Sequence, residues 1–170
     1  TLAFYPLTEN THREGILRLS VVPTTSHPLQ AKAEAYARAV MDALDYIGVL
    51  AIEFFEKDGQ LLANEMAPRV HNSGHWTIEG AITSQFENQV RAVTDRPLGS
   101  TNLLGACGMV NLIGTVPAES DILKMEGAHL HLYGKTARPG RKLGHVTFVE
   151  KDEETLNMKL EQMERLLSND

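Results

Sequence analysis

The chain has 170 residues, enough for one ordinary domain or two small ones with a real core. Its 42% hydrophobic share suits a globular chain, and a net charge of −6 leaves no basic field to gather nucleic acid or anionic lipid, so small solutes or protein subunits are the expected partners. The single cysteine, Cys107, excludes an internal disulfide framework and fits a reducing cytoplasm, and no apolar run approaches the ~20 residues of a membrane helix. The start Thr1-Leu2-Ala3, without a methionine or a leader pattern, reads as part of a longer, unsecreted protein.

Residues 2–5 and 15–22 predict extended segments, separated by the polar stretch 8–14. From Pro28 to Ile47 apolar residues recur at Ala33, Ala37, Val40, Leu44 and Ile47, with Gly48 just beyond, and predict a helix. Residues 50–56 and 61–67 flank Lys57-Asp58-Gly59-Gln60 and predict a hairpin. Ser84-Gln85-Phe86-Glu87 fits a capping box, opening a helix with Phe86, Val90 and Val93 on one face and ending before Pro97. After a linker of 97–105, strands are predicted at 108–113, 128–133 and 142–149, and a closing helix at 153–167 with Leu156, Leu160, Met163 and Leu167 inward. The class is α+β, in two parts meeting near residues 96–105.

The densest polar constellation is the run from Asn64 to Trp76, which gathers Glu65, Arg69, His71, Asn72 and His75. Glu53, in the apolar strand around Ile52 and Phe54, is its natural companion, since a buried carboxylate needs a cation or a donor. Carboxylates on adjacent strands suit Mg²⁺, a hard ion that completes its shell with water and phosphate oxygens. The competing structural reading puts Glu53 on a solvated face and pairs Glu65 with Arg69. Zinc is disfavoured: Asn72-Ser73-Gly74 breaks any helix between His71 and His75, and His129 with His131 lacks a third ligand at suitable spacing. The basic loop 135–142 is either a solvated turn or a grip for one phosphate.

Three stretches resemble one family. Phe4-Tyr5-Pro6-Leu7-Thr8-Glu9-Asn10, the run Asn64 to Thr77, and Arg138-Pro139-Gly140-Arg141-Lys142-Leu143-Gly144-His145 look like the N5-carboxyaminoimidazole ribonucleotide synthases, biotin-carboxylase-like ATP-grasp enzymes. The resemblance implies the C-terminal half of an ATP-grasp domain, an antiparallel sheet with flanking helices, at 1–95. A small β-rich C-terminal domain follows at 96–170. It also implies ATP-driven carboxylation of 5-aminoimidazole ribonucleotide with bicarbonate, through carboxyphosphate. Glu53 and Glu65 match the Mg²⁺ ligands; Arg69, His71 and Asn72 match the catalytic oxyanion pocket. Lys135 and Arg141 match the groups that bind the ribonucleotide phosphate. Asn64 and His12, with Asn10, match the nucleotide side. The N-terminal half, with its phosphate-binding lysines and glycine-rich loop, is not in this sequence, and neither G-x-G-x-x-G nor G-x-x-x-x-G-K-[ST] occurs. A homodimer is implied for the whole enzyme, and an inactive folded or dimerising module for the chain alone. Another ATP-grasp ligase with a different acceptor stays open as the alternative.

For Glu53 and Glu65 to share a metal they must share a strand face. A two-residue turn at Asp58-Gly59 places Glu53 opposite Asn64. A three-residue loop, Asp58-Gly59-Gln60, places it opposite Glu65. The shared site therefore predicts the longer loop, a type I turn with a G1 bulge.

Overall fold

The computed structural model describes residues 1–168. In chain order its elements are β1 (Glu9–Arg13), β2 (Ile16–Val22), α1 (Gln30–Leu44), β3 (Ala51–Lys57), β4 (Gln60–Ala67), a 3₁₀ turn (Asn72–Gly74), α2 (Thr77–Gly80), α3 (Gln85–Val93), β5 (Ala106–Ile113), α4 (Glu119–Leu123), β6 (His129–Leu132), β7 (Lys142–Glu150) and α5 (Glu153–Ser168). They form two compact units, residues 1–7 with 25–102 and residues 8–24 with 103–168. This differs from the expected sequential division at 95/96. β2 pairs with β5 across Leu19↔Val110 to Val22↔Cys107, which draws residues 8–24 into the unit of the later strands.

In that unit an antiparallel sheet runs β1-β2-β5-β7-β6. The polar stretch 8–14, read as a connector, contains strand β1: an edge strand pairs on one side only, so Glu9–Arg13 stays largely exposed and needs no apolar run. β5 and β7 form the centre, buried along nearly their whole length, and α5 seats Leu156, Leu160 and Met163 on them. Gly108 permits this approach, because a Cβ there would lie 2.8 Å from Leu160 Cδ2 and 3.0 Å from Leu156 Cδ1.

In the other unit α1 lies along the β3–β4 hairpin, with Tyr36 against Phe54 at 6.1 Å between ring centroids. Residues 2–5 are not a strand; the structure uses them for packing. Tyr5 meets Trp76 edge-on at 6.2 Å, donates to Thr83 O at 2.8 Å and accepts from Asn88 Nδ2 at 2.8 Å. Trp76 is 1% exposed and centres this layer. Ser84 caps α3 as its pattern predicts, its Oγ accepting from Glu87 N–H at 3.1 Å. The apolar stripe of α3 is open, with Phe86, Val90 and Val93 at 38%, 58% and 56% exposure. Among the described residues no helix is long and apolar enough to cross a membrane.

Candidate functional site

The site is built on the β3–β4 hairpin. Lys57 pairs with Gln60, leaving a two-residue turn in which Asp58 and Gly59 both have positive φ, 52° and 69°. That is a type I′ turn, for which Asp-Gly is a preferred pair, and it replaces the predicted three-residue loop. Left regular, this register would set Glu53 opposite Asn64. A bulge corrects it: Phe54 pairs with Ala63 and Glu53 with Glu65, so Asn64 is the extra residue. The two carboxylates face one another, through a shift located beside them rather than at the turn.

His71 joins them. One ligand atom each from Glu53, Glu65 and His71 lies within 4.8 Å of the others, a set able to hold a metal ion. His71 Nδ1 is 3.9 Å from Glu53 Oε1, and Asn64 Nδ2 donates a long bond of 3.5 Å to Glu53 Oε2. Ser73 N–H donates to His71 Nδ1 at 3.4 Å, and Ser73 Oγ lies 2.9 Å from it, so this lone pair is already engaged. The oxygen donors of Glu53 and Glu65 then fit a hard cation such as Mg²⁺, with Glu65 on the exposed side and Glu53 partly buried. This is the arrangement the alternative of a solvated Glu53 did not require.

The other predicted residues fall as follows. Asn72 opens the 3₁₀ turn directly after His71. Arg69 is exposed and donates to Val70 O at 2.9 Å; among the described residues it forms no ion pair with Glu65. Lys135, Arg141, Asn10 and His12 belong to the other unit. There Lys135 Nζ lies 4.9 Å from the centroid of Tyr133, and Arg141 donates to Thr136 O at 3.2 Å, both on the connection between β6 and β7. Tyr133 in turn meets Nδ1 of the buried His145 at 2.7 Å, and burial pushes its phenol up to about 12. His145 stacks on His131 at 4.5 Å. Asn10 Oδ1 accepts from Ser20 Oγ at 2.7 Å, and His12 is exposed on β1.

Two residues at the site went unread in the sequence. Ser73 holds the ring of His71, and Gln85 hydrogen-bonds the His71 backbone from across the fold. Gln85 was visible only as part of a helix cap, a local signal that says nothing of a partner fourteen residues away.

Known proteins share this arrangement of segments. The family model described as ATP-grasp domain matches residues 1–86, and that described as phosphoribosylaminoimidazole carboxylase C-terminal domain matches 107–159. The N5-carboxyaminoimidazole ribonucleotide synthase of Pseudomonas aeruginosa is 56% identical over 164 residues, covering 96% of this chain and 45% of that protein. The crystal structure of N5-carboxyaminoimidazole ribonucleotide synthetase from Thermus thermophilus superposes with a TM-score of 0.93 at 61% identity, covering 96% of this chain and 46% of the other. That of the Aspergillus clavatus N5-carboxyaminoimidazole synthase, in complex with ADP and 5-aminoimidazole ribonucleotide, gives 0.90 at 32% identity over 98% of this chain and 47% of the other. The chain spans a little under half the length of these proteins.

Proposed function

Because the chain belongs to the ATP-grasp family, we propose that it supplies the metal-holding and acceptor-binding half of an ATP-dependent carboxylase acting on 5-aminoimidazole ribonucleotide and bicarbonate. The observation that carries the reading is the facing of Glu53 and Glu65 beside His71, on a chain that matches both family models in order. The match at 107–159 favours this acceptor over that of another ATP-grasp ligase. In sequence order we read residues 1–95 as the second half of the ATP-grasp domain and 96–170 as the C-terminal domain, with residues 8–24 of the first segment contributing β1 and β2 to the sheet of the second. The missing N-terminal half brings the adenine and phosphate grips. The whole enzyme is a cytoplasmic homodimer, a reading supported by the resemblance.

In this mechanism a bicarbonate oxygen attacks the γ-phosphorus of ATP and ADP leaves, giving carboxyphosphate. The exocyclic amine of the ribonucleotide then attacks the carboxyl carbon, a proton leaves the nitrogen, and phosphate departs. Glu53 and Glu65 would hold Mg²⁺, which when bound offsets charge on the phosphates. Arg69 offers a planar fork, and His71 and Asn72 polar groups, to the small oxyanion, holding it where the amine can reach. Lys135 and Arg141 grip the remote phosphate of the ribonucleotide, and Asn64 and His12 line the nucleotide side. This remote grip orients the amine without touching the reacting atoms.

The test is substrate omission in a full-length enzyme containing this segment. ADP release is expected to need bicarbonate, and carboxylated ribonucleotide to form only when ATP, bicarbonate and 5-aminoimidazole ribonucleotide are all present. Product formed without ATP, or none formed with all three, contradicts the assignment.

A further inference from the structure

Gln85 opens α3, yet its side chain does not face solvent: the residue is 3% exposed and its carboxamide sits inside the His71–His75 loop. Its Oε1 accepts from His71 N–H at 2.9 Å, its Nε2 donates to His71 C=O at 2.8 Å, and Nε2 lies 2.9 Å from Nδ1 of His75. The peptide groups decide which end of the amide is which. A backbone N–H only donates and a carbonyl only accepts, so the oxygen must face the first and the nitrogen the second. The nitrogen that then reaches His75 brings a proton, and Nδ1 must present its lone pair. Neutral His75 therefore carries its ring proton on Nε2.

The loop is shaped around this carboxamide. A Cβ at Gly74 would lie 2.7 Å from Gln85 Oε1 and 2.9 Å from Cδ, and the hydrogen bonds at both ends of the amide keep it from yielding. Thr77 closes the circuit, its Oγ1 donating to Gly74 O at 2.6 Å and accepting from Gln85 N–H at 3.0 Å. An apolar side chain of the same size would fill the volume and strand the His71 peptide groups in a part-buried place, at a cost typical of unmet hydrogen bonds.

We propose that Gln85 is the positioning residue of the His71–His75 loop: it holds His71 by its own peptide groups and fixes His75 as the Nε2–H tautomer. The His71 imidazole is thereby presented to the oxyanion in one orientation, beside a His75 ring whose Nδ1 is held by the same carboxamide. The catalytic consequence rests on the carboxylation reading; the tautomer does not.

Long-range proton–nitrogen correlation spectra of the chain, taken at about pH 8 and so above the usual histidine range near 6.5, read the tautomer directly. Nε2–H at His75 is expected, and Nδ1–H overturns the proposal. In Gln85→Glu the carboxylate has no proton to donate, so the His75 proton is expected to move to Nδ1; an unchanged tautomer also overturns it. In a full-length enzyme containing this segment, Gln85→Met is expected to lower kcat about ten- to a hundredfold while KM for ATP stays within about twofold. Gly74→Ala, which must displace the carboxamide, is expected to show the same split and covers the case in which Gln85→Met does not fold. A normal kcat in either folded variant, with only the melting temperature lowered, overturns the positioning role. Absence of carboxylation in the wild-type full-length enzyme, with the Nε2–H tautomer observed, would instead contradict the carboxylation reading.

Discussion

Facing carboxylates repel when no cation lies between them, which makes Glu65→Gln informative. Glu53 and Glu65 are cross-strand partners with ligand atoms within 4.8 Å, and Glu65 is exposed, so the dielectric of water applies. Coulomb's law then gives about 0.9 kcal/mol of repulsion, reduced to roughly 0.5 by physiological salt. Removing one charge is expected to raise the melting temperature of the metal-free chain by about 1–2 °C. Mg²⁺ at tenfold its dissociation constant stabilises the wild type by about 1.4 kcal/mol, or roughly 3–6 °C, and this gain is expected to vanish in the variant. The assay is thermal melting with and without MgCl₂ at constant ionic strength, so that general screening is held fixed. A variant that melts no higher than wild type without metal, and keeps the full shift with it, would refute the shared site.

On the proposed reading, which puts the adenine and phosphate grips in the other half of the enzyme, the 170-residue chain alone is expected to release no ADP from ATP; bicarbonate-dependent ADP release by the purified chain would contradict this. In the full-length enzyme, Arg141→Ala is expected to raise KM for 5-aminoimidazole ribonucleotide about ten- to a hundredfold, the worth of one charge-assisted bond, and to leave KM for ATP nearly unchanged. Equal effects on both substrates would make the loop structural. Burial holds the Tyr133 phenol up at about 12, so above pH ~10 the unfolded chain releases a proton that the folded chain keeps. Stability therefore falls as pH rises from about 10 toward 12, and urea midpoints of Tyr133→Phe are expected to fall less across that window.

What could be read in the sequence was what local chemistry decides. Ser84 caps α3 because its hydroxyl needs a partner only three residues away. Glu53 and Glu65 were correctly paired on functional grounds, but the loop inferred from that pairing was wrong. Asp58-Gly59 satisfies a two-residue turn by itself, and Asn64 absorbs the odd residue next to the site. Strand β1 was missed because an edge strand with one paired side can be polar, and residues 2–5 were misread because apolar character serves packing on Trp76 as well as it serves a ladder. The grouping of residues 8–24 with the later strands depends on the β2–β5 pairing, between residues nearly ninety apart, which no local pattern records. Gln85 shows the same limit at the site itself, where its partners lie ten and fourteen residues back along the chain.

Isotope transfer asks most directly whether bicarbonate is activated as carboxyphosphate by an enzyme built on this segment. With ¹⁸O-labelled bicarbonate, ATP and 5-aminoimidazole ribonucleotide, the full-length enzyme is expected to place one labelled oxygen in each phosphate released, because the oxygen that attacks the γ-phosphorus leaves with it. Unlabelled phosphate alongside carboxylated product would contradict the mechanism.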